Sequence, residues 1–223
     1  IGVLPLFHVF ANTCVLNRTV ASGGEMVLLP RFDAEQVMHA IERTRASYMP
    51  GVPTMYQAML DHPAVHHTDF SSLRVCISGG APMPREVKDR FEHATGARIA
   101  EGYGLTESSG VVSANPYEGA NKAGTIGQPV PGTRVKLLNR EDPTREAEPG
   151  EPGELAFAGP QGKVHFAAWR ADAGRLHPHL AKDGDNQRVA VLAIKIHLNL
   201  SRLQCQLGHG KCRIYPGFGL GAV

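Results

Sequence analysis

The sequence lacks the features that mark a nucleic-acid binder, a membrane span or a disulfide scaffold. Its formal net charge is only +2 over 223 residues, so composition demands no nucleic-acid or anionic-membrane partner. No apolar run approaches the length that crosses a bilayer. Residues 1–5 give no basic segment followed by an apolar one, so no secretion signal is legible. Ile1 is not a methionine, and the chain is expected to begin inside a larger protein. Cys14, Cys76, Cys205 and Cys212 are too few and too scattered to staple a domain of this size, which favours reduced thiols in a cytoplasmic protein. There is no internal repeat and no low-complexity tract.

What is present is a globular composition, 42% hydrophobic and 20% charged. The near-neutral total hides a division. Up to Gln161 there are 14 Lys and Arg against 18 Asp and Glu, and beyond it 9 against 3. One chain thus holds two compositions.

Residues 24–104 alternate strand and helix patterns. Glu25-Met26-Val27-Leu28-Leu29 is a short apolar run bounded by glycines and Pro30, as in a buried strand. Asp33 opens a helix, with Gln36 at capping-box spacing and Phe32 and Val37 placed as a hydrophobic staple. Val37, Ala40, Ile41 and Thr44 mark its apolar face. Ser47-Tyr48-Met49 reads as a strand followed by a helix over 54–61. Leu73-Arg74-Val75-Cys76-Ile77 reads as another, then a helix with Pro84 near its first turn. Val87, Phe91 and Ala94 share that helix's face, and Gly96 ends it. Arg98-Ile99-Ala100-Glu101 reads as a further strand. Such alternation predicts an α/β fold, a parallel sheet with flanking helices and right-handed crossovers. After about Asn121, residues 134–138 and 154–158 read as strands of a small antiparallel or barrel-like subdomain. The expected division is an α/β subdomain over 1–120, a β-rich subdomain over 121–161 and an irregular tail over 162–223.

Ligands of parallel sheets bind beyond the carboxyl ends of the strands. Two segments take that place. Ser78-Gly79-Gly80-Ala81-Pro82 lets the backbone turn sharply and approach a flat or anionic ligand. Gly102-Tyr103-Gly104-Leu105-Thr106-Glu107 offers an aromatic face, a hydroxyl for a phosphate oxygen and a hard carboxylate suited to Mg²⁺. Taken singly, a Gly-Gly pair is common turn chemistry and a Thr-Glu pair caps helices. Their combination suits a nucleotide.

These segments, with Leu4-Pro5-Leu6-Phe7-His8, Gly124-Thr125-Ile126-Gly127-Gln128-Pro129 and Gly150-Glu151-Pro152-Gly153-Glu154-Leu155, resemble the adenylate-forming superfamily in order and spacing. Asn115-Pro116-Tyr117 and Pro131-Gly132-Thr133 look most like bacterial long-chain fatty-acid–CoA ligases. The resemblance covers residues 1–161. It implies a fatty acid, ATP and CoA as substrates, with acyl-AMP formed first and acyl-CoA second, and Mg²⁺ on the nucleotide. Gly79, Gly80, Ala81 and Pro82 would line the adenine pocket, with Tyr103 and Gly104 beside the base. Thr106 would contact the AMP phosphate, Glu107 would ligate Mg²⁺, and His8 would lie near the α-phosphate and the acyl carboxylate. Val52, Pro53, Met55 and Tyr56 match the stretch beside the acyl tunnel, and Gly102 leaves room near the carboxylate. Met55, Tyr56 and Met59 read equally well as core residues of an amphipathic helix. The implied setting is cytoplasmic, with peripheral attachment of the parent enzyme to the inner membrane face left open.

The family's Ser/Thr/Gly-rich phosphate loop would precede Leu4, and its ribose-binding Asp and catalytic Lys would follow residue 161. None of these is found, so adenylation by this chain alone is expected to be negligible. The tail, basic and without period, reads as foreign to the family, as a shifted reading frame would be, and as poorly ordered. Cys205, His209 and Cys212, with His197, have spacings a metal would tolerate, but they lack the tight C-x₂-C pair of structural zinc sites. Two other readings stand beside the ligase. One is a non-catalytic nucleotide-binding remnant or interaction module. The other is a dinucleotide-binding oxidoreductase, disfavoured because no G-x-G-x-x-G follows a first strand.

Overall fold

The computed structural model describes residues 1–160 and the two-residue strand Cys212–Arg213. Helical turns open the chain: α1 (Val9–Ala11), a π-helical stretch (Asn12–Asn17) and α2 (Arg18–Ala21). Then come β1 (Met26–Val27), α3 (Ala34–Thr44), β2 (Tyr48–Gly51), α4 (Pro53–Asp61), β3 (Val75–Ser78), α5 (Arg85–Thr95) and β4 (Arg98–Leu105). The remaining strands are β5 (Gly110–Ala114), β6 (Gln128–Pro129), β7 (Arg134–Asn139), β8 (Gly153–Ala158) and β9, the Cys212–Arg213 pair.

The main sheet runs β2-β3-β4-β5-β6. Its first three strands are parallel, joined through α4 and α5, and the last two are antiparallel. The expected α/β fold is therefore present, with an antiparallel extension on one edge. That extension takes β6 from beyond residue 120. On the other side, Gly2 N–H donates to Val27 O at 2.8 Å and the Ile1 amino group to Tyr48 O at 2.8 Å, so residues 1–3 run between β1 and β2. β7 and β8 form a separate antiparallel ladder over a small core of Leu138 and Ala156.

Local chemistry explains the helices. The Asp33 carboxylate accepts from Gln36 N–H at 2.9 Å, capping α3, and Arg45 ends it in the left-handed region. Pro53 opens α4, where a missing N–H costs nothing. Gly96 ends α5 at φ 72°. α4 packs against both α3 and α5. Val37, Met38, Ile41, Met49, Tyr56, Met59, Phe91 and Ile99 fill the core between these helices and the sheet.

Two expectations are corrected. Ala94 is exposed, and Lys88 is buried in its stead. The helix turns that position inward because Lys88 Nζ donates both to Ile99 O on β4 and to Glu92, whose Oε1 also accepts from Ile99 N–H at 2.7 Å. Strand β4, expected to end at Glu101, continues through Leu105, because residues 110–114 supply it with an antiparallel partner. The tail, His197, Cys205 and His209 lie outside the described residues; Cys212 and Arg213 pair in parallel with Met26 and Val27. Among the described residues no helix is long and apolar enough to cross a membrane.

Candidate functional site

β3 and β4 are adjacent and parallel, with Ser78 opposite Glu101. The Gly79–Pro82 segment leaving β3 and the Gly102–Leu105 half of β4 therefore lie at the same end of the sheet. Contact confirms it: a Cβ on Gly79 would lie 3.5 Å from Gly102 O and 3.2 Å from the Phe10 ring. Gly79 N–H reaches across to Gly51 O at 3.3 Å, joining the end of β2 to the group. Gly80 has φ 79°, a conformation L side chains avoid, and the Val52 side chain lies beside it. Gly79 is buried, whereas Gly80, Ala81 and Pro82 form an exposed arch.

Tyr103 sits on β4 where the register slips between Tyr103 and Gly104. Such a bulge re-aims side chains. Tyr103 is half-buried, and its phenol is pushed above its ordinary value, first by burial and then by the negative charge of Glu107. Gly104 admits no substitute, since a Cβ there would lie 1.8 Å from Gly110 O. Thr106 and Glu107 are exposed at the turn joining β4 to β5. Buried Ser108 knits that turn: its Oγ accepts from Leu105 N–H at 2.9 Å and lies 2.8 Å from both Leu105 O and Gly110 O. Ser109 (φ 54°) and Gly110 (φ 129°) complete it.

The opening helix leans on both segments. Its Phe10 ring abuts Gly79, and Thr13 Oγ1 lies 2.6 Å from where a Gly110 Cβ would be. His8 caps this helix, with Nδ1 accepting from Phe10 N–H at 3.1 Å. With Nδ1 so occupied, the neutral ring carries its proton on Nε2. His8 itself is exposed.

The expected acyl-pocket residues separate. Val52 lies at the rim beside Gly80, and Pro53 is buried at the start of α4. Tyr56 is fully buried, its hydroxyl 3.1 Å from Met49 O and 2.9 Å from Ile77 O, its ring edge-on to Phe91 at 5.0 Å. Packing beneath the sheet thus places Tyr56 in the core rather than on an open surface. Phe10, Thr13, Ser108 and Glu101 escaped notice in the sequence. The only available signal was the Ser-Ser-Gly following Thr106-Glu107, which reads as a hairpin turn.

No group of three or more His, Cys, Asp or Glu side chains that could hold a metal occurs among the described residues. A lone exposed Glu107 fits Mg²⁺, which takes one or two carboxylates along with substrate phosphates rather than a protein cage. A cavity of about 280 Å³, lined by Val15, Arg18, Thr44 and Tyr48 among others, lies at the opposite, amino ends of the strands.

Fold and site together define an α/β protein of the kind that takes its ligand at the carboxyl ends of adjacent parallel strands. The family model described as AMP-binding enzyme matches residues 1–163. The chain belongs to the AMP-binding enzyme family. It is 44% identical over 162 residues to a long-chain-fatty-acid–CoA ligase of Bacillus subtilis (strain 168), covering 72% of this chain and 29% of the relative. It is 39% identical over 158 residues to a feruloyl-CoA synthase of Amycolatopsis sp, covering 70% and 31%. Among solved structures it resembles ATP-bound MatB from Rhodopseudomonas palustris, at TM-score 0.67 and 29% identity over 77% of this chain and 33% of that one. The chain thus spans about a third of the length of these relatives.

Proposed function

We propose that residues 1–160 form the nucleotide-cupping portion of an ATP-dependent ligase that joins a fatty acid to CoA. The observation that carries this reading is the meeting of Gly79 and Gly102 at one end of the sheet, which sets the 79–82 arch beside the Tyr103–Glu107 segment. In the proposed reaction a carboxylate oxygen attacks the α-phosphorus of ATP, the bond to pyrophosphate breaks, and acyl-AMP forms. The CoA thiol then attacks the acyl carbon, AMP leaves, and the thiol proton passes to solvent. Gly79, Gly80, Ala81 and Pro82 line the adenine, Tyr103 stacks on it, and Gly104 keeps the hairpin close. Thr106 donates to the α-phosphate, and His8 offers its Nε2–H near the same phosphate and the carboxylate. Gly102 leaves space at the carboxylate, and Val52 and Pro53 flank the chain of the acid.

Glu107 would hold Mg²⁺, which when bound neutralises charge on the phosphates. Chemistry of this type depends mainly on positioning and charge neutralisation. By itself this polypeptide would bind nucleotide but turn it over negligibly, as it spans about a third of the relatives' length. Such a ligase would work in the cytoplasm, with peripheral attachment to the inner membrane face left open.

Titration with ATP and with a non-hydrolysable acyl-AMP mimic tests the binding. Saturable binding weakened about tenfold or more by Tyr103→Ala is expected, the range for loss of an aromatic platform under a base. Absence of binding, or binding indifferent to Tyr103, counts against the site. Fatty-acid-dependent pyrophosphate exchange by the 223-residue chain would overturn its predicted inactivity.

A further inference from the structure

Met83, which follows the 79–82 arch, is held from two strands at once. Its backbone N–H donates to Glu101 Oε1 of β4 at 3.0 Å, and its sulfur receives a weak contact from Ser78 Oγ of β3 at 3.6 Å. Ser78 and Glu101 are register partners across the β3–β4 ladder. All three are buried, Ser78 at 0%, Met83 at 4% and Glu101 at 7% exposure. The exposed arch therefore spans two fixed points, Gly79 tied to Gly51 and Met83 tied to Glu101. Glu101 Oε2 is also buried and has no hydrogen-bond partner among the described residues. Burying a carboxylate oxygen in this way is costly, so packing alone does not account for a Glu here.

We infer that Glu101 is a positioning residue: through the Met83 amide it sets the height of the 80–82 arch above β4, and with it the gap that faces Tyr103. The functional half of this inference rests on the nucleotide reading above; the mechanical half does not. Gln at this position keeps the accepting oxygen, whereas Ala removes it.

Amide hydrogen exchange of the whole chain tests the mechanical half. In the unaltered protein the Met83 amide is expected to exchange far more slowly than that of Ala81 on the arch. Glu101→Ala should speed Met83 exchange about tenfold or more, and Glu101→Gln should stay within about threefold of the original. AMP titration on the same samples tests the functional half, with affinity weakened about tenfold by Glu101→Ala and restored by Glu101→Gln. Met83 exchanging as fast as Ala81 in the unaltered chain overturns the latch, and this comparison holds even where Glu101→Ala fails to fold. Faster Met83 exchange with unchanged AMP affinity overturns the positioning role. If the unaltered chain binds no AMP, the nucleotide reading fails while the exchange comparison still decides the latch.

Discussion

Tyr56 joins two parallel strands through a single proton, its hydroxyl lying between Met49 O of β2 and Ile77 O of β3. Those carbonyls stand just before the strand ends that carry Val52 and Gly79, so the phenol braces the floor of the site from within the core. Tyr56→Phe keeps the ring's edge contact with Phe91 and removes only the hydroxyl. The expected cost is about 1–3 kcal/mol, read as a lower urea midpoint with unchanged slope. An unaltered midpoint would show that the hydroxyl contributes nothing. Sequence could not separate this role from a place in a binding tunnel, because Val52, Pro53, Met55 and Tyr56 share one apolar stretch. Which of them reaches the surface depends on how α4 rotates against α5 and the sheet. The glycines were more legible. Gly79 and Gly80 were expected at a close approach, and the Phe10 ring and a φ of 79° supply the reasons.

At the level of elements, α3 could be read from its apolar spacing and the Asp33 cap, and the span of α5 from Pro84 and Gly96 at its ends. β5 could not. Gly110-Val111-Val112-Ser113-Ala114 is only five residues long, and its pairing with β4 is a non-local contact. Missing it made the 102–107 segment look like a loop, when most of it is strand and only its last two residues enter the turn. The turn depends on Ser108. Ser108→Ala leaves the Leu105 N–H without its acceptor in a half-buried setting, at an expected cost of about 1 kcal/mol. The Leu105 amide should also exchange faster, measurable by the same hydrogen-exchange experiment. Unchanged protection at Leu105 would mean that strand pairing alone holds the turn. The inward Lys88 of α5 lay beyond sequence reasoning for another reason. Its burial requires Glu92 and the Ile99 carbonyl to be already in place, and no local pattern announces them.

At the scale of the whole molecule, the core buries two thiols among the described residues, Cys14 and Cys76. Burial raises Cys14 to about 11 and Cys76 to about 12 from the 9.0 of an unburied thiol. The fold thus favours the neutral form, and the stability this contributes is intact below about pH 9 and lost as pH rises toward 11 and 12. Tyr48 and Tyr56 shift upward through burial as well and act in the same direction. Thermal denaturation of the chain is expected to show a melting temperature that falls steadily above pH 9. Peptide mapping after alkylation at pH 8 should find Cys14 and Cys76 unmodified until denaturant is added. Rapid modification of either thiol in the native protein would contradict their burial.

The arrangement that matters most is also a property of the whole sheet: parallel neighbours β3 and β4 deliver the 79–82 arch and the Tyr103–Glu107 segment to one place. Amide chemical-shift mapping during titration with AMP addresses it most directly. The account predicts that the amides of residues 79–81 and 103–107 shift together along one saturation curve, with residues lining the opposite-pole cavity unmoved. Shifts confined to one of the two segments, or centred on Arg18 and Tyr48, would contradict it.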